Sequence, residues 1–335
     1  MASPETMRAL ALNDTEDRNF VEMQIPRPEA GAGQVLVRIK ASGVNPIDSK
    51  IRTGQYGHTP ALPRKFPAIL GTDLAGVVEA VGPGVTAFKA GDEVYGLTGG
   101  IADVPGSLAE FAAVDANLLA LKPKNISFRE AAGIPLVFLT AWEGLVDATH
   151  VGAGQKVLVL GAGGVGHMAI QIAHAHGAEV FATESEAKRE VVESFGATWI
   201  DRDSDVDTYV NKYTGGQGFD IVLDSVGGKE GLEQAIASAA IYGHVASSQA
   251  FVPINLALAS LKGVSVTGVY VLLPLLAGKN RAHHGDILRK ATELVETGKV
   301  RVMVDPKRFD LSNALAAHEA LLGRKIVGKA VIDVA

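Results

Sequence analysis

The sequence predicts an α/β protein of two parts, a β-rich first part followed by a doubly wound parallel sheet of about six strands. Three observations predict it. Residues 156–176 read as strand, glycine turn and helix in that order. Short apolar runs and helical patterns then alternate as far as residue 271. The first 125 or so residues instead carry short strands broken by frequent Gly and Pro, the pattern of a small irregular barrel or sandwich. A chain of 335 residues is long enough to bury two such cores.

In the first part, Met7–Leu12 and Val35–Ala41 read as strands, the second ending at Ser42-Gly43. Ile69–Val81 reads as a strand-pair region punctuated by Gly71 and Gly76, with Gly82-Pro83-Gly84 as the following turn. Gly91–Gly96 pairs a turn with a short strand. Arg129–Gly133 begins a helical approach that Pro135 interrupts and Phe138–Trp142 continues.

The second part opens with the apolar run Lys156–Leu160, which feeds into Gly161-Ala162-Gly163-Gly164-Val165-Gly166. Beyond the glycines, Val165, Met168, Ala169, Ile172 and Ala173 recur on one face of a helix. This is the opening of a dinucleotide-binding βαβ unit: Gly161 permits a tight turn, Gly163 lets backbone approach a pyrophosphate, and Gly166 lets the helix pack closely. The backbone N–H groups of Gly164 and Val165, at the positive end of the helix dipole, would face the phosphates. Further strands are expected at Ala178–Thr183, Thr198–Asp201, Phe219–Asp224, Tyr242–Ser247 and Val264–Val271. Helices are expected at Lys188–Phe195, Val206–Tyr213 and Gly231–Ile241. Asp286–Thr297 reads as a helix and Val331–Val334 as a closing strand that returns to the first part, since the sheet is already complete.

Composition removes several function classes. The net charge of -6 argues against nonspecific nucleic-acid binding, which needs a basic face. It has no cysteine, which excludes disulfides, thiolate nucleophiles and cysteine-ligated metal sites. The N-terminal residues carry neither a basic nor an apolar segment of a signal peptide, and apolar runs are broken before membrane-spanning length, so a cytoplasmic protein with no membrane partner is expected.

Six segments in order carry a family resemblance: Gly43–Asp48, Gly71–Val78, Gly91–Val94, Gly106–Phe111, Gly161–Gly166 and Phe219–Gly228. With these the chain resembles the medium-chain dehydrogenase/reductase superfamily, in its zinc-free quinone oxidoreductase (zeta-crystallin-like) branch. The resemblance implies a GroES-like β-rich catalytic domain of residues 1–128 and 275–335 and a Rossmann domain of residues 129–274, with a cleft for nicotinamide and substrate. It also implies a homodimer in which the last Rossmann strand, near Gly268–Val271, pairs with its copy. Zinc enzymes of the superfamily carry Cys where Asn45 stands and a His-Glu pair where Thr72-Asp73 stands; neither Asn45 nor Thr72 suits zinc, so no metal is expected. His174, His176, His283 and His284 read as surface or packing residues.

Without a Lewis acid, negative charge on a substrate oxygen must be met by hydrogen bonds, which suits hydride transfer to quinones and α,β-unsaturated carbonyls. Asn45 is the first candidate, as a donor to the substrate carbonyl or the nicotinamide ribose network; its alternative is a turn opener before Pro46. Asp48 is expected to organise hydrogen bonds, and Tyr56 to donate a proton or hydrogen bond to a forming enolate or else to be a rim aromatic. Thr140 resembles the family threonine beside the nicotinamide, although a helical threonine often bonds its own backbone. Val226, then Ala246, Ser247 and Ser248, then Tyr270 and Val271 are carried over as cofactor contacts by motif position.

The nicotinamide cofactor presents a conflict. Glu184 ends the second strand of the sheet, where an acid bonds the adenosine ribose and repels a 2′-phosphate, which indicates NAD(H). The family branch prefers NADPH, and Ser185, Lys188 and Arg189 could bind a phosphate, unless the two cations are merely a solvated helix face. NADP(H) is favoured, with NAD(H) the alternative. The rival functions are a non-catalytic nicotinamide-binding redox sensor or crystallin-like protein, and an S-adenosylmethionine methyltransferase, which the β-rich first part opposes.

Overall fold

The computed structural model describes residues 5–14, 19–55 and 65–335. The chain falls into two units, one of Met1–Leu136, Leu272–Gly298 and Val302–Ala335, the other of Val137–Val271 with Lys299–Arg301. The division falls at Leu136 and Leu272, against expected boundaries at 128 and 275.

The first unit is built on antiparallel strands. β1 (Thr6–Leu12) pairs with β2 (Phe20–Pro26) and with the two-residue β4 (Ala68–Ile69). β3 (Gln34–Gly43) is the spine of the larger sheet, flanked by β5 (Asp73–Val81) and by β7 (Phe111–Asp115). β6 (Glu93–Leu97) continues from β5, and β8 (Leu119–Leu121) from β6. The expected strand-pair region at 69–81 is thus the end of one short strand, a turn, and one long strand. Val35, Val37 and Ile39 are wholly buried while Arg38 points out, so alternation selects the register of β3. Between β3 and β4, α1 (Pro46–Thr53) starts on Asn45, whose backbone N–H is taken by Asp48 three residues on, and stops at Gly54 in the left-handed conformation.

α2 (Phe128–Ala132) opens on a Ser127–Glu130 capping box, and α3 (Pro135–Trp142) begins at the proline expected to interrupt the helical run. The second unit then alternates through β9 (Lys156–Leu160), α4 (Gly164–Ala175), β10 (Glu179–Glu184), α5 (Arg189–Ser194), β11 (Thr198–Asp201) and α6 (Val206–Thr214). It continues with β12 (Phe219–Asp224), α7 (Gly228–Ser238), β13 (Ala239–Ser247), α8 (Ala257–Lys262) and β14 (Ser265–Gly268). All pairs are parallel, in the order β11-β10-β9-β12-β13-β14. The order reverses beside β9, which places the crevice for a ligand at its carboxyl end. β9 and β12 are covered on both faces, so Val157–Leu160 and Ile221–Leu223 are buried as continuous runs. Phe181, Tyr209 and Phe219 pack with Leu232 and Ile236 on one face of the sheet. Each such side chain contributes about 2–3 kcal/mol relative to exposure.

Two expectations are corrected here. The helix at 231–241 ends at Ser238, because β13 begins at Ala239 with an irregularity at Tyr242, whose φ is 63°. The last strand stops at Gly268 rather than Val271: Val269 still donates to Ser247 O, but no residue beyond Gly268 pairs in register.

The tail carries α9 (Leu273–Ala277), α10 (Arg281–Glu296), β15 (Phe309–Asp310), α11 (Ala314–Leu322) and β16 (Val331–Asp333). β16 pairs antiparallel with β3, Val331 opposite Gly43, so the closing strand does return to the first unit. Among the described residues, no helix is long and apolar enough to cross a membrane.

Candidate active site

The glycine turn lies at the carboxyl end of β9. Gly161 has φ 81°, a conformation that favours glycine, and its N–H donates to Thr183 O at 3.1 Å, tying the turn to β10. Gly166 backs onto the turn: a side chain there would collide with the carbonyl of Gly161. Gly163 is the N-cap of α4 and has no side chain to cap it; a Cβ on it would meet nothing within 4 Å. Backbone N–H groups at the start of a twelve-residue helix, an open approach and a favourable dipole fit a diphosphate.

Glu184 ends β10 with its side chain turned inward. Its carboxylate accepts from the N–H groups of Ser185 at 2.9 Å and Ala162 at 3.3 Å and from Lys188 Nζ at 3.3 Å, with Arg202 at 3.9 Å. Burial works against ionisation, but the Ser185 amide and Lys188 outweigh it and hold the carboxyl below its ordinary range. Arg189 is committed elsewhere, to Glu193 at 3.0 Å and over the Trp199 ring at 5.0 Å. Arg202 was not anticipated. It follows β11, whose Asp201 lies opposite Glu184, so the parallel register brings it to this corner.

The remaining cofactor candidates divide. Val226 is 63% exposed just beyond β12. Ala246 and Ser247 are wholly buried, and the Ser247 hydroxyl donates to Asp224 at 2.7 Å, so Ser247 braces the strand end rather than offering a free hydroxyl. Ser248 N donates to Asp224 O at 3.1 Å. Tyr270 meets Phe251 edge-on at 5.6 Å, Val271 is buried, and Thr140 is buried in α3.

In the first unit Asn45, Asp48, Thr72, Asp73 and Lys329 form a buried polar cluster, all 3% exposed or less. Asn45 Nδ2 donates to Thr72 Oγ1 at 2.9 Å and to Asp73 Oδ2 at 2.8 Å. Lys329 Nζ donates to Asn45 Oδ1 and, at 3.1 Å, to Val44 O. Asp73 Oδ1 accepts from Leu136 N at 3.0 Å. Asp48 Oδ2 accepts from Asn45 N at 2.7 Å, while its Oδ1 is buried without a partner. Burial pushes Asp48 up to about 7 and Asp73 up to about 6, and pushes Lys329 down. The expectation for Asn45 needs correcting: both amide protons are spent inside the cluster, so serving a substrate oxygen requires exchanging one of these bonds. Asp48 Oδ2 also accepts from Thr72 Oγ1 at 3.4 Å. Tyr56 lies outside the described residues.

Residues 31–124 match the family model described as alcohol dehydrogenase GroES-like domain, and residues 164–277 that described as zinc-binding dehydrogenase. The chain is 37% identical to the NADPH-dependent alkenal/one oxidoreductase, chloroplastic, of Arabidopsis thaliana, over 98% of this chain and 80% of that one. It is 35% identical to a quinone oxidoreductase of Rattus norvegicus over 67% of each chain. The chain belongs to the medium-chain dehydrogenase/reductase superfamily, in its quinone oxidoreductase branch. This medium-chain reductase also superposes on an alcohol dehydrogenase superfamily protein from Novosphingobium aromaticivorans with a TM-score of 0.94 and 46% identity, covering 99% of this chain and 100% of that one. Although one of the matching models is described as zinc-binding, this medium-chain reductase shows no group of three His, Cys, Asp or Glu side chains that could hold a metal among its described residues. His284 is buried, whereas His174 is exposed.

Proposed function

We propose that the protein is an NADPH-dependent, zinc-independent reductase of α,β-unsaturated aldehydes, ketones and quinones. The observation that carries this reading is the likeness to the alkenal/one oxidoreductase along nearly the whole chain. The residue types support it further: an amide and a hydroxyl, Asn45 and Thr72, stand where zinc chemistry needs ligands.

The nicotinamide supplies, when bound, a hydride for the β-carbon of an enone or for a quinone ring. Gly161, Gly163, Gly164, Val165 and Gly166 hold the diphosphate through backbone and helix dipole. As the carbonyl oxygen becomes negative, Asn45 exchanges its bond to Thr72 for one to that oxygen, and Tyr56 or water delivers the proton that completes the saturated product. The test is a panel of alkenals, enones, quinones and saturated aldehydes with NADPH, before and after dialysis against a chelator. Oxidation of NADPH by the conjugated acceptors, undiminished by the chelator, is expected. Turnover confined to saturated aldehydes, or lost with the metal, rejects the reading, and binding without turnover favours a sensor.

For the cofactor, Lys188 and Arg202 already neutralise Glu184, so a 2′-phosphate at this corner meets cations rather than a bare carboxylate. NADPH is expected to bind more tightly than NADH, and K188A/R202A to weaken NADPH by about tenfold while NADH changes less. Fluorescence titration of both cofactors checks this; parallel losses would remove the phosphate role. A homodimer and a cytoplasmic site belong to the same proposal. For the dimer, support comes from the free edge of β14 and from Tyr242 and Leu261, exposed 86% and 85%. Pairing along Ser265–Gly268 replaces the stretch first expected.

A further inference from the structure

We propose that Lys329 is a positioning residue of this reductase, an internal cation that fixes which way the Asn45 carboxamide faces. The proposal rests on the reductase reading and adds to it a residue outside every motif that led there.

The backbone brings Lys329 to this place by simple register. β16 lies along β3, Val44 N donates to Ala330 O at 2.9 Å, and the residue before Ala330 therefore reaches across the end of β3 toward Val44 and Asn45. Lys329 is itself held at both backbone groups, its N–H by Met303 O at 2.8 Å and its carbonyl by Asp305 N at 2.9 Å. The side chain is 3% exposed, so its ammonium is not a solvated surface charge.

An ammonium carries three donors and no acceptor. Two are placed on Val44 O and Asn45 Oδ1, and the nearest anion is Asp73 Oδ2 at 3.9 Å. The consequence for Asn45 is geometric. Turning the carboxamide over would set Nδ2 against Nζ and Oδ1 against the Asp73 carboxylate, donor to donor and acceptor to anion. In the observed orientation every atom of the amide is matched, and a cation on Oδ1 polarises the group so that its N–H bonds donate more strongly. Lys329 thus sets both the direction and the strength of the donor that the proposed reaction borrows. It also offsets one of the two buried carboxylates, Asp48 and Asp73, which no other described cation contacts.

K329M removes the cation at nearly constant shape, and K329Q keeps a donor for Asn45 Oδ1 without the charge. Both are compared with wild type for NADPH affinity, melting temperature, and kcat and KM on an enone, at neutral pH and at about pH 5.5. The acid condition relieves the cost of leaving buried carboxylates unpaired, because protons replace the missing charge. K329M is expected to lose roughly tenfold or more in kcat at both pH values, with NADPH affinity within about threefold of wild type and K329Q recovering part of the loss. The proposal is overturned if folded K329M keeps its kcat, or if its loss vanishes at acid pH together with the stability defect. Should K329M not fold, K329Q carries the test: wild-type kcat in that variant shows that no cation is needed and overturns the proposal, and a loss that vanishes at acid pH together with the stability defect restricts the role to charge balance and overturns it as well. Wild-type protein that reduces no conjugated acceptor ends the reductase reading instead, and this proposal with it.

Discussion

Gly163→Asp is expected to leave the cofactor-free protein folded, with a melting temperature equal to or above wild type, and to weaken NADPH binding by roughly a hundredfold or more. The two halves of this outcome have separate causes. Space is free around residue 163, and its φ of −76° suits any L residue, so the carboxylate is accommodated. Aspartate is among the best N-cap residues, and α4 has no capping side chain, so the substitution adds roughly a few tenths of a kcal/mol over glycine to the free protein. The same carboxylate then occupies the helix N–H groups and sets a negative charge where the diphosphate must come. Substitution of Gly166 would be less informative, because its side chain would meet the Gly161 carbonyl and damage the turn itself. Thermal melting and NADPH fluorescence titration check the two halves; NADPH affinity within threefold of wild type would falsify the assignment of this turn to the diphosphate.

That site was legible in the sequence because it is local. One strand, six residues and one helix make it, and Gly161 and Gly166 each answer a demand of the backbone within a few positions of themselves. The parallel sheet was legible for a related reason: β9 and β12 are buried on both faces and read as unbroken apolar runs. What could not be read came from pairings distant in the chain. Arg202 reaches Glu184 only because β11 and β10 run parallel in one register, so the acid that argued for NAD(H) lies in a cationic corner. Asn45 reads in the sequence as a side chain with free amide protons, since the partners that consume them lie at Thr72 and Asp73. Lys329 is 284 residues from Asn45. The signal available for it was a lone lysine in the apolar stretch Ile326–Val331, which a buried strand tolerates only when the charge is met. Tyr242, read as strand, does lie in β13, but with a left-handed backbone and an exposed ring that the apolar run did not show.

The acid side of the stability curve follows from one histidine that the sequence did not single out. His318, on α11, is 1% exposed; its Nδ1 lies 3.2 Å from Ser49 Oγ on α1, and Phe20 meets its ring edge-on at 5.1 Å. Burial, assisted by the charge of Arg52, pushes it down to about 3 from an ordinary 6.5. Between those values the unfolded chain binds a proton that the folded chain refuses, so this group lowers stability as the pH falls from 6.5 toward 3. Asp48 and Asp73 act in the opposite direction. Their folded values of about 7 and about 6 lie above the unfolded value, so the folded chain gains relative stability as acid protonates them. The wild-type curve reflects opposing slopes, and with two carboxylates against one histidine these three groups together are expected to raise stability modestly as the pH falls from about 6.5 to 5. His318→Gln, which keeps a partner for Ser49 and cannot take the charge, removes only the first slope. Its stability relative to wild type is expected to improve by about 1.4 kcal/mol per pH unit below 6.5, a gain of roughly 2–3 kcal/mol by pH 4.5. Urea unfolding of both proteins across this range measures it directly. Parallel curves would mean that His318 is protonated in the folded state or reaches solvent, and that the seam between α1 and α11 opens before the rest of the unit.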